Sequence, residues 1–372
     1  METPLDHKRV LVTGACGTVG RELVRQLLEG SRVEEIIALD NNESELFFLE
    51  QEFCARDRVR FFLADIRDRD KLNRKMKGIY AVFHTAAFKH VILCERSPFE
   101  AVQTNILGVQ NVILAAAENS VEKVIFTSSD KAVNPTNVMG TSKLMGERLI
   151  TAANEDFRGN GPIFASTRFG NVLGSRGSVM PIFREQIRRG GPVTLTHPEM
   201  TRFIMTVEQS AQLVIDSASR ARGGEVFITK MPSIRIEDLA DVMIETLAPL
   251  YGHSPESIRV EIIGTKPGEK MYEELMSAEE TRRAWELGRY FVVLPAFTSR
   301  YREATYTYST ILSKTITNPY HSGSETPLSK SELLAFLESN NLIYQDTSHR
   351  DHPAERYWPN GGCIEPLHMV RM

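Results

Sequence analysis

An α/β fold built on a doubly wound parallel sheet follows from three features of this 372-residue sequence. Short β-branched runs alternate with helical apolar patterns up to about residue 180, the rhythm of successive βαβ units. The runs are continuously apolar, as in Val124-Ile125-Phe126, which suits strands covered on both faces. The first run ends in a cluster of glycines that opens a helix.

The elements can be taken in order. Residues 9–13 (RVLVT) form the first strand, and residues 20–28 a helix with Leu23, Val24, Leu27 and Leu28 at helical spacing. Residues 35–40 (EIIALD) read as a second buried strand, 43–53 as a helix, and 59–64 and 81–84 as strands. Residues 101–119 read as one long helix with Ile106, Val109, Val112 and Ala116 on one face. A strand at 123–128, a helix at 139–154 and a strand at 163–168 complete the pattern. Beyond residue 179 the rhythm loosens: helices at 180–189 and 207–218, strands at 193–195 and 225–229, then amphipathic helices at 236–247 and 330–340. The expected organisation is a dinucleotide-binding Rossmann domain of residues 1–180 with 206–232. A smaller α/β substrate lobe takes 181–205 and 233–343, and 344–372 is an irregular tail.

Composition narrows the function classes. Hydrophobic residues make up 42% and charged residues 25%, an ordinary globular balance. The net charge of −4 gives no reason to expect nucleic acid or a membrane surface as partner. No run approaches a transmembrane span. Four scattered cysteines without CxxC spacing read as reduced thiols of a cytoplasmic protein, with neither disulfide framework nor metal site.

The segment Thr13-Gly14-Ala15-Cys16-Gly17-Thr18-Val19-Gly20 reads T-G-x-x-G-x-x-G between the first strand and helix. Gly14 permits the tight turn, Gly17 lets the backbone approach a pyrophosphate, and Gly20 lets the helix pack against the strand. The amides of Thr18, Val19 and Gly20 at the helix N-terminus then face the phosphates. Asp40 ends the second strand, placed to accept both adenosine ribose hydroxyls; its bland alternative is a helix N-cap. Asn41 and Asn42 follow, with no Arg for a 2′-phosphate, so the pocket favours NAD over NADP. Asp65-Ile66, after the third strand, are positioned for the adenine amino group, or form a simple turn.

The segment TSSDKAVNPTNVMGTSKLMGE (127–147) starts at a strand's carboxyl end, where open α/β sheets place their chemistry. Ser128 and Ser129 offer hydroxyls, and Asp130 and Lys131 put an acid and a base side by side. Met139 and Lys143 lie one helical turn apart on one face. Lys143 can bridge the nicotinamide ribose and lower the pKa of nearby acids.

This stretch resembles the extended short-chain dehydrogenases, and within them the UDP-N-acetylglucosamine 4,6-dehydratases of polysaccharide synthesis. TGACGTVG, AAFKHVILCE, TNILGVQNV, SSDKAVNPTNVMGTSK, RFGNVLGSRGSVMPIF, THPEMTRF and GTKPGEKMYEEL carry the resemblance, over roughly residues 8–280. It implies a homodimer pairing through the helices at 101–119 and 139–154, and a UDP-N-acetylhexosamine substrate. It adds Ala86 to the cofactor side. Lys89, His90, Asn171, Arg176, Arg202 and Glu269 join the substrate side, as does Asn105, expected to orient the active-site helix. The wider family carries Tyr at the position of Met139. A thioether accepts no proton, so the hydride step here proceeds without tyrosine. Similarity to dehydratases that also have Met there, among them catalytic portions of membrane-tethered enzymes, implies retention at C5.

The implied chemistry begins with hydride transfer from C4 to NAD, giving a ketone that acidifies the C5 proton. A base removes that proton, an acid protonates the departing C6 hydroxyl, and hydride returns to C6. Lys131 is the expected base and Asp130 the expected acid. Asp130, through Ser129, also takes the O4 proton. A lysine base needs a depressed pKa, and burial and nearby Lys143 are the expected causes. Two other readings stand beside this one: a sugar-nucleotide 4-epimerase, which needs no acid–base pair at C5 and C6, and a non-catalytic dinucleotide-binding regulator.

Overall fold

The structure, a computed structural model, describes residues 4–157, 161–175, 177–265, 267–297 and 305–344. Strands β1 (Arg9–Thr13), β2 (Glu35–Asp40), β3 (Val59–Leu63), β4 (Ala81–His84), β5 (Lys123–Thr127) and β6 (Ile163–Arg168) pair in parallel in the order β3-β2-β1-β4-β5-β6. The order reverses between β1 and β4, the switch point beyond which such sheets open a ligand crevice. The later strands are β7 (Asn171–Val172), β8 (Val193–Leu195), β9 (Thr201–Met205), β10 (Val226–Thr229), β11 (Ser233–Arg235), β12 (Val260–Ile262), β13 (Glu274–Met276), β14 (Ala284–Leu287), β15 (Tyr290–Val293), β16 (Ile311–Ser313) and β17 (Tyr320–His321). Strand β10 adds to β6 in parallel, and β15, β14 and β16 then extend the sheet antiparallel. Strands β14, β15 and β16, which the sequence reading placed in the second lobe, are therefore hydrogen-bonded into the main sheet. They are only three or four residues long, too short for periodicity to reveal.

Alternation along each strand sends side chains to two separate cores. Val10, Val12, Ile36, Ala38 and Ile125 point to one face. There they meet α1 (Thr18–Gly30), through Leu23, Val24, Leu27 and Leu28, and α9 (Val207–Arg220). Leu11, Ile37, Leu39, Val124 and Phe126 point to the other, against α6 (Gly108–Glu118) and α7 (Val138–Asp156). Every residue of β5 and β6 is buried, which explains the unbroken apolar runs. The remaining helices are α2 (Glu43–Glu52), α3 (Arg69–Lys75), α4 (Val91–Arg96), α5 (Pro98–Val102), α8 (Val179–Arg188), α10 (Ile236–Leu247) and α11 (Lys330–Ser339). Helices α8, α10 and α11 close a third core with Val193, Leu195 and Ile234.

One difference from the sequence reading bears on the site. The long helix expected over 101–119 starts earlier, with Pro98 in its first turn, and is interrupted by a π turn at Gln103–Leu107. The extra residue in that turn leaves Thr104 and its neighbour Asn105 both buried. A 3.6-residue apolar pattern carries no sign of such an insertion. Among the described residues no helix is long and apolar enough to cross a membrane.

Candidate functional site

The carboxyl ends of β1, β2, β4 and β5 border a cleft of about 1240 Å³, closed on the far side by Arg202, Glu269 and Glu273. At its dinucleotide end the backbone does the shaping. Gly14 has φ +69, and a Cβ there would lie 2.7 Å from the Ala86 backbone. A Cβ on Gly20 would lie 2.1 Å from the Gly14 carbonyl, so α1 starts this close to β1 only because both residues are glycine. The N-cap Gly17 supplies no side-chain cap. The first amides of α1, at Thr18, Val19 and Gly20, therefore have no intrahelical acceptor and open on the cleft.

Asp40 lies at the cleft's edge, accepting the Cys16 amide through Oδ2 and the Asn42 amide through Oδ1, both at 2.9 Å. Each oxygen keeps a lone pair for a hydroxyl. The N-cap of α2 is Asn42, whose side chain accepts from the Glu45 amide, so the capping role considered for Asp40 is filled by another residue. Asp65 and Ile66 also line the cleft. The Asp65 carboxylate is gripped by the Arg67 guanidinium, which holds its pKa below the usual range, and accepts from Asn41. Ile66 is buried beside it, and its carbonyl accepts from the Asn111 side-chain amide.

At the other end, the cluster Asp130–Lys131 sits in a 3-10 turn after β5. Helix α7 packs onto this turn so closely that a Cβ on Gly140 would lie 2.2 Å from the Lys131 carbonyl. Asn137 caps α7 by accepting the Gly140 amide and donates to the Gly268 carbonyl, tying the helix start to the far wall. Asp130 is 1% exposed and stands behind Ser129, which faces the cleft and donates to Asp130 Oδ1 at 2.6 Å. The sequence reading put Ser129 between Asp130 and the substrate for the O4 proton only; here the Ser129 hydroxyl stands between Asp130 and the cleft as a whole. Lys131 lines the cleft with its Nζ 3.0 Å from Asp130 Oδ1 and 3.4 Å from Glu273 Oε1.

The electrostatics correct one expectation. Burial depresses the Lys131 ammonium, but Asp130 and Glu273 outweigh it, and its pKa is raised well above the ordinary lysine value. The depressed lysine is Lys143, drawn down to about 8 by burial against the opposing charge of Glu147. Its Nζ donates to the Thr127 carbonyl at 2.9 Å and lies 4.8 Å from the centre of the Phe126 ring. Met139, one turn above, is 3% exposed and packs on Cys94 and Ala101. Among the described residues, the buried polar atoms around this end without a protein partner include Ser128 Oγ, Asp130 Oδ2 and Glu273 Oε2. Such atoms are rare in folded proteins, and where they line or adjoin a cleft they point to a polar ligand.

The remaining expected residues divide. Lys89, His90 and Asn171 line the cleft, and the His90 ring lies against Gly177. Asn105 does not line it. Its amide donates to the Phe88 carbonyl and to Ser142 Oγ, and its oxygen accepts the Phe88 amide, so it braces α7 and has no hydrogen left for a substrate. Arg202 lines the cleft with its guanidinium turned onto protein: the Thr201 and Met271 carbonyls, Glu273 at 3.6 Å and Glu269 at 3.9 Å. Arg176 lies outside the described residues. Sequence reasoning missed Glu273, which sits four residues beyond Glu269 in the same GEKMYEEL segment. Its only sequence sign was a second acid in that motif.

Similarity searches place these features in a lineage. The family model for polysaccharide biosynthesis proteins matches residues 10–295. A protein of Methanocaldococcus jannaschii described as an uncharacterized membrane protein is 52% identical over 77% of this chain and 86% of its own length. The capsular polysaccharide biosynthesis protein CapD of Staphylococcus aureus is 44% identical over 74% of this chain, which spans only 46% of that longer protein. A UDP-N-acetylglucosamine 4,6-dehydratase (inverting) of Campylobacter jejuni is 38% identical, over 78% of this chain and 84% of its own. Among solved structures, Pen from Bacillus thuringiensis superposes with a TM-score of 0.84 at 41% identity, covering 91% of this chain and 99% of that one. DesIV, a dTDP-glucose 4,6-dehydratase from Streptomyces venezuelae solved with NAD, shares the fold at 23% identity and a TM-score of 0.64, over 71% of this chain and 86% of that one. The chain belongs to the polysaccharide biosynthesis protein family.

Proposed function

We propose that this protein binds NAD and removes water across C5 and C6 of a UDP-N-acetylhexosamine, UDP-N-acetylglucosamine first among them, giving the 4-keto-6-deoxy sugar. The observation that carries the reading is the pair after β5 of a buried acid and a half-buried lysine, with the Ser129 hydroxyl between Asp130 and the cleft. An epimerase needs no such pair, because it neither breaks the C5–H bond nor expels O6. The C. jejuni relative named as a UDP-N-acetylglucosamine dehydratase supports the same choice.

The residues present fit NAD. The glycine cradle leaves room only for backbone around a pyrophosphate, and Asp40 retains acceptor capacity and is followed by Asn41 and Asn42, where an NADP site would place an Arg for the 2′-phosphate. NAD held there would supply the hydride acceptor and donor for C4 and C6. The chain's own residues handle the protons. Ser129 passes the O4 proton to Asp130 and later returns it to O6, so that O6 leaves as water. Lys131 takes the C5 proton and gives it back. Lys143 reaches the nicotinamide ribose from α7. Met139 contributes packing and no proton. Lys89, His90, Asn171, Arg176, Arg202 and Glu269 hold the nucleotide-sugar, and C5 keeps its configuration. Val102, Leu107 and Met145, exposed on the helices that pair in the proposed homodimer, are its apolar contacts. Light scattering should give twice the 42.0 kDa chain mass.

A 4-epimerase reading has one observation in its favour: a UDP-glucose 4-epimerase of Rickettsia canadensis is 37% identical over 76% of this chain. Mass spectrometry after incubation with UDP-N-acetylglucosamine and NAD decides between them. Loss of one water is the expected result; a product of unchanged mass would sink the dehydratase reading in favour of epimerisation.

A further inference from the structure

Proton accounting at the cluster leaves one proton without a destination. Lys131 can remove the C5 proton only as a neutral amine, yet it sits as an ammonium between two carboxylates. Asp130 cannot relieve it, because through Ser129 it receives the O4 proton in the same turnover. Among the described residues, Glu273 is the other carboxylate paired with Lys131. It comes from the segment before β13, is 4% exposed, lines the cleft, and has Oε1 3.4 Å from Lys131 Nζ and 3.6 Å from Arg202 Nε. Its Oε2 is buried with no protein partner. Its backbone is fixed on both sides by Ser322, which accepts the Glu273 amide at 3.0 Å and donates its own amide to the Glu273 carbonyl at 2.9 Å.

Resting on the dehydratase reading above, we propose that Glu273 is a positioning residue that takes and holds the Lys131 proton, so that Lys131 can act as the C5 base. The step balances within the site. The Lys131 ammonium gives a proton to Glu273, leaving a neutral amine and a carboxylic acid. The amine lone pair takes the C5 proton, the C5–H electrons form the C5–C6 double bond, and the C6–O6 electrons leave with O6, protonated from Asp130 through Ser129. When hydride has returned to C6, Lys131 gives its proton back to C5 and recovers the first one from Glu273. Burial favours a neutral Glu273 carboxyl and raises its pKa against the pull of Lys131, which suits an acceptor of this kind. The charged groups facing the pair are Asp130 from the turn after β5, Arg202 from β9, and Glu269, which lies on Arg202. Lys270 and Glu274 beside it are paired with each other.

The test compares Glu273→Gln and Glu273→Asp with the parent across pH 6–10. The amide keeps the shape and takes no proton. Glu273→Gln should bind UDP with parental affinity by calorimetry and reduce nicotinamide in the first turnover at the parental rate. Its product formation and its C5 deuterium incorporation should both fall about 10²-fold at pH 7, the scale of a lost general acid–base partner. They should then climb with pH, because the Lys131 proton can leave only to solvent. Glu273→Asp should recover at least part of the loss. If Glu273 only neutralised charge, removing it would make Lys131 more acidic and enrich the amine. Turnover at pH 7 would then hold or rise with an optimum moved to lower pH, and that result overturns the proposal. A parent that forms no keto sugar overturns the dehydratase reading and this inference with it; a failure confined to the variants overturns the inference alone.

Discussion

The two ends of the cleft are built from different materials. The dinucleotide end is mostly backbone, with Gly14, Gly17, Gly20 and the amides of α1 lying within one loop and the first turn of a helix. The end proposed to handle protons is side chains brought from distant segments: Ser129, Asp130 and Lys131 after β5, Arg202 on β9, and Glu273 before β13. The first end is specified by the absence of Cβ atoms at a few positions. The second is specified by long-range folding and by the mutual charges of buried groups, so its behaviour depends on partners that no local pattern announces.

The difference can be broken most severely at the side-chain end. Lys131→Ala and Asp130→Asn should each cut turnover about 10²–10⁴-fold while NAD affinity stays within a few-fold of the parent. In Lys131→Ala, single-turnover absorbance should show reduced nicotinamide building up without product; in Asp130→Asn, which cannot take the O4 proton, nicotinamide reduction should slow as well. Parental turnover in Lys131→Ala would remove the lysine from the chemistry.

The next effect is on stability. Folding lowers the Lys143 pKa from 10.5 to about 8, a cost of about 3 kcal/mol when the group must be charged. The unfolded chain binds the extra proton between these values, so stability rises as pH climbs from about 8 through 10.5 and is lost as pH falls through 8. Lys143→Met removes that cost and also the bond to the Thr127 carbonyl, worth about 1 kcal/mol. Urea denaturation should find the variant about 2 kcal/mol more stable than the parent at pH 7, with the advantage gone above pH 10.5. A difference independent of pH would contradict the depressed pKa.

Two glycine substitutions then separate the ends. Gly20→Ala forces α1 off the Gly14 carbonyl, and Gly140→Ala forces α7 off the Lys131 carbonyl; overpacking of this kind costs about 1–3 kcal/mol. Calorimetry should show the first losing NAD affinity. Kinetics should show the second losing turnover with NAD affinity kept. Equal losses in both assays for both variants would mean the ends are not independent. The smallest effect is expected from Met139→Tyr, which changes packing and removes no proton chemistry, and turnover should stay within a few-fold.

How much of this was legible follows from the same contrast. The parallel sheet, the glycine loop and Asp40 could be read because each depends on spacing within one βαβ unit. The acid–lysine pair could be read as a candidate because it follows a strand end. What could not be read needed tertiary packing: the π turn that buries Asn105 against Ser142, and the carboxylates that raise Lys131 instead of letting burial lower it. Strands β14 to β16 were missed because three- and four-residue strands leave no period to detect.

The account's central claim is that this cluster breaks and remakes the C5–H bond while expelling O6. Incubation with UDP-N-acetylglucosamine and NAD in deuterium oxide, followed by proton NMR of the product, tests it most directly. The account predicts a C6 methyl group, a C4 ketone, deuterium at C5 and the starting configuration there. A product that keeps its C6 hydroxyl and its C5 proton, altered only at C4, would contradict it.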